Sequence, residues 1–312
     1  MGDTLLIYNP AAGRISVRPF IGGVIRTLND QGYRVEVAES VNGRHTTQLA
    51  HMAAQENFHS VFAIGGDGTA GQAAAGLIGS QTALGILPAG TTNVWARELG
   101  MHPFTWSHIR ALNQNARLLA NMPPTPIDVG LCNGLPFLMW AGVGLDAMTV
   151  KTLGPRKRFE KYLSITEFAA TTIWNATIWH GMDLHVIVDE KQIEGHYLLA
   201  LVSNIRHYAV VEISPSATID DGWMDLWLLT GSTLADAFRH MFDMLAGQHV
   251  SSENARCVPF RKAVIESATA FPLQMDGEPM LGTHRVSIEV VHRGLKALLP
   301  AQARNLVCSE QV

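Results

Sequence analysis

The sequence contains little cysteine: three residues in 312, at Cys132, Cys257 and Cys308. The number is odd and no two cysteines have the spacing of a metal site, which excludes a disulfide framework and argues against a cysteine-based zinc site. The thirteen histidines do not supply a zinc motif either, because none has the His-Glu-x-x-His spacing. This usage is typical of a protein in a reducing cytoplasm.

Long apolar runs and an excess of charge are also missing. The richest apolar stretch, 135–150, is interrupted by Asp146, whereas a transmembrane helix needs about 18 or more apolar residues. The N-terminus lacks the features of a signal peptide, and Leu6 breaks a possible myristoylation motif. A net charge of −4 gives no global indication of nucleic-acid binding. We therefore expect a cytoplasmic protein with no transmembrane segment and no nucleic-acid partner.

The most informative stretch is a short apolar run that ends abruptly in glycines. Val61–Ile64 has the composition of a buried strand, and Gly-Gly-Asp-Gly-Thr follows at 65–69. We expect Thr69 to cap a helix that begins near Ala70. A strand, a glycine turn and a helix form a phosphate cradle, and a divalent cation would explain the carboxylate of Asp67 within it. The alternative is an ordinary glycine turn, which the complete pattern disfavours.

The first half of the chain alternates between strand and helix patterns. This alternation predicts an α/β domain with a parallel sheet and helices on both faces, and ligands bind such sheets beyond the carboxyl ends of the strands. Special residues follow three of the predicted strands, at 9–13, 65–69 and 88–93. Their agreement is stronger evidence for a ligand site than any one of them.

The pattern changes after Pro123-Pro124 to a series of strands joined by short turns. We predict a second, mostly antiparallel domain, a sandwich or barrel, with a boundary near residue 127. The predicted strands are Thr125–Asn133, Leu135–Val143, Asp183–Asp189, Glu194–Ser203, Met224–Leu229 and Ala263–Ala270. Helices are predicted at 160–178 and 233–246.

Several charged residues in this second half need an explanation. Asp128 lies in an apolar strand and requires a partner or an ion. The Asp220-Asp221-Gly222 and Asp276-Gly277 segments are, by spacing alone, structural turns. A basic cluster is most simply a solvated loop, although it could contact phosphate or anionic lipid headgroups. Its members are Lys151, Arg156, Lys157, Arg158 and Lys161.

Taken together, the motifs resemble the diacylglycerol kinase catalytic family, which includes soluble bacterial lipid kinases and is related to sphingosine and ceramide kinases. The resemblance covers nearly the whole chain. The matching segments are Asn9-Pro10-x-x-Gly13, Gly65–Thr69, Gly90-Thr91-x-Asn93-x-x-Ala96-Arg97, Ile127–Gly130, Gly144–Ala147, Asp220–Asp225 and Asp276–Glu278. Gly-Gly-Asp-Gly alone is not specific, because NAD kinases share it.

The resemblance implies an α/β nucleotide-binding domain at 1–127, completed by 287–305, and an antiparallel β-sandwich domain for the lipid at 128–286, with the active site in the cleft between them. It further implies that ATP and Mg²⁺ are the cofactors. The residues expected to bind the nucleotide are Asn9, Gly13, Gly65, Gly66, Asp67, Gly68, Thr69, Gly90, Thr91 and Asn93. Asp276 is the expected general base, Asp67 and Asp128 would hold the catalytic Mg²⁺, and Asp221 would bind a structural metal.

The implied activity is ATP-dependent phosphorylation of a hydroxyl of diacylglycerol or a related lipid, taken from a membrane surface during transient association. Two departures from the family pattern, Val94 and Gln72, leave open a decayed nucleotide- or lipid-binding protein. An NAD kinase is disfavoured, because those enzymes carry an Asn-Glu pair and this chain has none. The oligomeric state stays open, a homodimer included.

Overall fold

The computed structural model describes residues 2–154, 164–208 and 211–309. The chain forms two compact units, Met1–Val129 with His292–Val312, and Gly130–Val291. The sequence placed the corresponding boundaries near 127 and 287. Four members of the predicted basic cluster, Arg156, Lys157, Arg158 and Lys161, lie outside the described residues, as does the start of the helix predicted from residue 160.

The first unit alternates strands and helices as predicted. Its elements are β1 (Asp3–Tyr8), α1 (Ile21–Asp30), β2 (Arg34–Glu39), α2 (Gly43–Gln55), β3 (Ser60–Gly65), α3 (Asp67–Leu77), β4 (Ala83–Pro88), α4 (Val94–Glu98) and α5 (Ala111–Ala120). A strand, β5 (Pro124–Cys132), begins in this unit and runs into the second.

The sheet of the first unit has the strand order β2-β1-β3-β4 and is parallel throughout. The connection from β1 to β2 and the connection from β2 to β3 move in opposite directions across this order. Right-handed crossovers therefore place α1 and α2 on opposite faces, as the sequence predicted. Every residue of β3 and β4 is buried, which explains why both strands read as continuous apolar runs.

The second unit consists mainly of antiparallel strands. Its elements are β6 (Leu135–Phe137), β7 (Trp140–Gly144), α6 (Leu145–Leu153), α7 (Ser164–Ile178), β8 (Met182–Val188), β9 (Lys191–Ser203), β10 (His207–Tyr208), β11 (Val211–Glu212), β12 (Met224–Thr230), α8 (Leu234–Leu245), β13 (Ala255–Phe260), β14 (Lys262–Met275) and the first part of β15 (Glu278–Leu298). A last helix, α9 (Ala301–Val307), belongs to the first unit.

The strands of this unit pair in the order β13-β12-β9-β7-β14-β15, and β8 pairs with both β9 and β14. Each of these pairs is antiparallel, as predicted. Several details of the prediction are wrong. The strand expected at Leu135–Val143 is interrupted after Phe137. The sequence pattern also missed α6 and the strands β10, β11, β13 and β15.

The end of the chain completes the first unit. Near its end β15 lies parallel to β4, with Ala297 beside Leu84. In α9, Ala303 and Val307 are buried. No helix within the described parts of the chain is both long and apolar enough to cross a bilayer.

Candidate active site

Glycines allow the loops that follow β1, β3 and β4 to approach one another closely. A Cβ atom on Gly13 would lie 2.0 Å from the carbonyl oxygen of Ala89, and one on Gly90 would lie 2.4 Å from Cα of Gly66. Gly13 also has a φ of 60°, a conformation that favours glycine. The three loops that the sequence singled out are therefore brought together at one edge of the sheet.

The loop after β1 is tied to the start of α3 through side chains. Asn9 Nδ2 donates to Thr69 Oγ1 at 3.3 Å, and Asn9 Oδ1 accepts from the N–H of Ala11 at 2.9 Å. The prediction that Thr69 caps the helix is wrong, because α3 begins two residues earlier, at Asp67, with Gly66 in the capping position. Thr69 is instead buried and packs against Gly65. A Cβ atom on Gly65 would lie 2.3 Å from the hydroxyl oxygen of Thr69.

Asn93 shapes the loop after β4. Its Oδ1 accepts from the N–H of Gly90 at 2.8 Å, and its Nδ2 donates to the carbonyl of Gly90 at 2.9 Å. Asn93 has a φ of 49° and is almost fully buried. Thr91 lies in the same loop, and its hydroxyl is buried without a hydrogen-bond partner among the described residues. The loop thus presents a buried hydroxyl, that of Thr91, that the described protein does not satisfy.

Asp67 is at the first position of α3, next to the amino terminus of α4. The N–H of Trp95 donates to Asp67 Oδ1 at 3.2 Å. Burial raises the pKa of the Asp67 carboxyl, and backbone N–H groups of the α4 start, led by that of Val94, oppose the rise. A carboxylate whose negative charge is poorly solvated is well suited to bind a cation.

Asp128 is completely buried in β5. Its Oδ1 accepts from His292 Nδ1 at 2.9 Å and from the N–H of Arg293 at 2.6 Å. These contacts hold β5 to the part of β15 that returns to the first unit. Asp128 therefore has the partners that its apolar strand required.

The predicted metal ligands do not form an all-protein cage. Across residues 2–154, 164–208 and 211–309, no three His, Cys, Asp or Glu side chains group as a metal site would require. Asp221, the predicted structural ligand, accepts from the N–H of Trp223 at 2.9 Å. Mg²⁺ usually binds one or two carboxylates together with phosphate oxygens and water, so such a cage is not needed for an Mg-nucleotide site.

Asp276 lies in the hairpin turn between β14 and β15. Its φ is 46° and that of Gly277 is 80°, as a two-residue Asp-Gly hairpin requires. The carboxylate accepts three backbone hydrogen bonds, from Leu138 at 2.7 Å, Met139 at 2.8 Å and Trp140 at 3.1 Å. We call this arrangement the Asp276 clamp. It holds the carboxylate in one orientation.

Sequence reasoning missed a second residue, Asn204, that binds the same backbone segment as Asp276. Asn204 is buried and binds carbonyl groups of this segment. Its Nδ2 donates to the carbonyl of Leu138, and its backbone N–H donates to the carbonyl of Met139. The only signal in the sequence was a Ser-Asn pair at the end of an apolar strand.

The two departures from the expected pattern lie on α3 and α4. Val94 is buried at the first position of α4. The amide of Gln72 packs on Gly43 at the start of α2, where a Cβ atom would lie 2.1 Å from Nε2. Val94 thus supplies a backbone N–H to Asp67 but adds no polar side chain there.

Sequence models of two protein families match the chain. One is the diacylglycerol kinase catalytic domain, which matches residues 3–131. The other is the YegS C-terminal NAD kinase beta sandwich-like domain, which matches residues 140–299. The family resemblance inferred from the sequence motifs is thereby confirmed, and the name of the second domain supports a sandwich in the second unit.

Individual relatives agree with the family matches. A diacylglycerol kinase of Bacillus subtilis is 26% identical over 276 residues, 88% of each chain. A probable YegS-like lipid kinase of Chromohalobacter salexigens is 28% identical, covering 89% of this chain and 87% of its own.

Solved structures share the fold. A putative diacylglycerol kinase from Bacillus anthracis has a TM-score of 0.78 at 21% identity, over 96% of this chain and 98% of its own. An NAD kinase from Archaeoglobus fulgidus, solved in complex with ATP, has a TM-score of 0.53 at 12% identity, over 97% and 96%. The chain therefore has the fold shared by these kinases.

Proposed function

Since this chain belongs to the diacylglycerol kinase catalytic family, with its YegS-type C-terminal domain, we propose that it is an ATP-dependent lipid kinase. It transfers the γ-phosphate to a hydroxyl of diacylglycerol or a closely related lipid. The observation that carries the proposal is the cradle formed by the loops after β1, β3 and β4. Relatives named as diacylglycerol kinase or lipid kinase support the lipid as acceptor.

The cradle has the properties that a nucleotide phosphate requires. Gly13, Gly66 and Gly90 keep its backbone free of side chains at their points of closest approach. The N-terminus of the eleven-residue helix α3 opens directly from it, and a helix N-terminus favours an anion. In the proposal, Gly65, Gly68, Thr69 and Asn9 complete the phosphate-binding surface. Thr91 contributes its unsatisfied hydroxyl, and Asn93 keeps the loop in shape.

The donor set also fits a divalent cation. Asp67 presents a carboxylate whose ionised form is destabilised by burial and would be favoured by a nearby cation. Mg²⁺ held there together with the phosphates would neutralise charge that develops during transfer. We assign Asp67 as its protein ligand. We give Asp128 a supporting role, because Oδ1 of Asp128 is already engaged by His292 and Arg293.

Asp276 is the proposed general base. A lipid alcohol is a weak nucleophile, and a positioned carboxylate assists by taking the proton as the oxygen–phosphorus bond forms. The Asp276 clamp supports this role, because it fixes both carboxylate oxygens against one backbone segment.

An NAD kinase is the competing function, since the Archaeoglobus NAD kinase shares the fold. The direct test offers radiolabelled ATP and Mg²⁺ to the protein with two acceptors separately, NAD and phosphatidylcholine vesicles containing diacylglycerol. We expect the label to appear in the organic-extractable lipid and not in NAD. Label in NADP, or in neither product, would reject a lipid kinase of this specificity.

A lipid kinase meets its substrate at a bilayer surface, and we propose α7 as part of that contact. The segment Lys151–Lys161 is basic, and residues 168–179 carry no charged side chain. On α7, Trp174 is 66% exposed and Ile178 is 54% exposed. A basic segment followed by an exposed apolar face supplies the two signals that reversible bilayer binding requires.

The proposed contact predicts that Trp174→Ser weakens sedimentation with vesicles containing anionic lipid, by about threefold to tenfold in the partition coefficient. Trp106→Ser is the matched control, because Trp106 is 76% exposed but lies in the first unit, away from α7 in the sequence. Equal losses from the two variants, or binding indifferent to anionic lipid, would contradict a contact through α7 and its basic neighbour.

A further inference from the structure

A buried chain of polar side chains lies behind the turn that carries Asp276. Gln274 is fully buried in β14, and its Nε2 donates to Asp146 Oδ2 at 2.8 Å. The hydroxyl of Tyr208 donates to the other oxygen of Asp146. On the opposite side, the N–H of Gly277 donates to Gln274 Oε1 at 2.9 Å. Asp146, Tyr208 and Gln274 therefore form one network that ends at the Asp276-Gly277 turn.

The direction of every hydrogen bond in this network is fixed. Because the N–H of Gly277 can only donate, the oxygen of the Gln274 amide faces the turn and its NH₂ faces Asp146. Asp146 consequently accepts on both oxygens. Burial and the neighbouring Asp146 raise the pKa of Tyr208 well above its ordinary value, so the phenol keeps its proton and remains a donor.

The surrounding backbone leaves space for the network. Gly142 of β7 pairs with Gln274, and a Cβ atom on Gly142 would lie 2.2 Å from Asp146 Oδ2 and 2.8 Å from Gln274 Nε2. Any side chain at that position would displace the pair. The contact thus depends on a glycine in the middle of a strand, where glycine otherwise weakens the structure.

Stability does not account for this arrangement. A buried carboxylate is destabilising unless it is paired, and well-packed apolar residues of similar volume often stabilise a core as well or better. Burial raises the pKa of the Asp146 carboxyl, and the two donors oppose that rise. A buried polar network that fixes the Asp276-Gly277 turn is better explained by the position it gives to the Asp276 carboxylate.

The geometry points to Asp146 as a positioning residue for phosphoryl transfer, which acts through Gln274 on the turn that holds the Asp276 carboxylate. This inference rests on the proposed function. Gln274 binds the Gly277 amide, the turn orients Asp276, and Asp276 binds the backbone of Leu138 to Trp140. A misplacement of about 1 Å at a reacting group lowers rates by about a hundredfold.

The test uses the full-length protein with the substitution Gln274→Met. Methionine has a side chain of similar length to glutamine but cannot form the hydrogen bonds of its amide. We expect kcat for the lipid to fall at least about tenfold with KM for ATP unchanged, because the effect is on orientation and not on nucleotide binding. In the Asp276→Asn background the same substitution should cause no further loss. The backbone amides of residues 138–140 should exchange with deuterium about tenfold faster than in the wild type.

Gln192→Met is the matched control, because Gln192 is exposed on β9 and should change neither activity nor exchange. An unchanged kcat in Gln274→Met, or a further loss in the Asp276→Asn background, would overturn the inference. So would unchanged exchange at residues 138–140, a measurement that needs no substrate. A wild-type protein that phosphorylates no lipid would instead reject the proposed function, and the exchange measurement would then decide whether the network positions Asp276.

Discussion

The Asp276→Asn variant is expected to transfer phosphate about 10² to 10⁴ times more slowly than the wild type while still binding Mg-ATP. Asparagine cannot take the proton of the lipid hydroxyl, although it has nearly the same shape and tolerates the positive φ of this turn. Single-turnover transfer to diacylglycerol vesicles measures the first effect, and calorimetric titration with Mg-ATP measures the second.

The chain contains a second aspartate in a similar turn, Asp189, which serves as the control for Asp276. Asp189 also has a positive φ, 51°, in a hairpin turn, and its carboxylate also accepts from backbone N–H groups, those of Arg261 and Lys262. Asp189→Asn and Asp276→Asn should each lower the free energy of unfolding by about 1 to 3 kcal/mol. Only the second should lose activity. Similar losses of activity in both variants would assign Asp276 a structural role alone.

Gly13→Ala is expected to destabilise the first unit and to raise the Kd for ATP at least about tenfold, which corresponds to about 1.4 kcal/mol. The alanine would pay about 1 to 2 kcal/mol for a positive φ. In addition, its methyl group would lie 2.0 Å from the carbonyl oxygen of Ala89, so the loop after β1 or the loop after β4 would have to move. Denaturant unfolding and ATP titration measure the two effects.

Gly79→Ala separates the effect of a positive φ from the effect of the steric contact. Gly79 has a φ of 74°, but a Cβ atom there would have no atom within 4 Å. This control should show the conformational penalty alone and bind ATP normally. If Gly79→Ala and Gly13→Ala have equal effects on ATP binding, then ATP binding does not depend on the close approach of the loops after β1 and β4.

Much of the first unit could be predicted because its chemistry is local in sequence. The apolar run Val61–Ile64 matches β3, a strand buried on both faces, and the glycines that follow it mark a turn. Parallel strands then bring their carboxyl ends to one edge, so the three loops had to be neighbours. The error at Thr69 arose because the helix begins at Asp67, where the carboxylate is favoured near the positive end of the helix dipole.

The second unit was harder to predict because its site depends on distant partners. The break between β6 and β7 falls at Leu138 and Met139, which are apolar like the strand residues on either side. It coincides with backbone N–H groups that bind Asp276, a residue 138 positions away from Leu138. The long strand β15 was missed because only five of its 21 residues are buried, and the apolar Leu281 is 91% exposed, so that its apolar pattern is weak.

Separation along the sequence also explains why Asp146 could be noticed but its role could not be inferred. Its position in an apolar segment was visible in the sequence. Its partners, Tyr208 and Gln274, lie 62 and 128 residues later, and hydrogen bonds across such separations leave no periodic signal. Only the fold shows that the three side chains meet.

The hydrogen bonds from His292 and Arg293 to Asp128 have a consequence for biosynthesis. A ribosome makes Asp128 early, whereas the partner residues follow 164 and 165 positions later, after the entire second unit. The first unit therefore lacks the strand beside β4 and also lacks α9 until translation is nearly finished. A message truncated after residue 291 would yield a complete second unit attached to an unfinished first one.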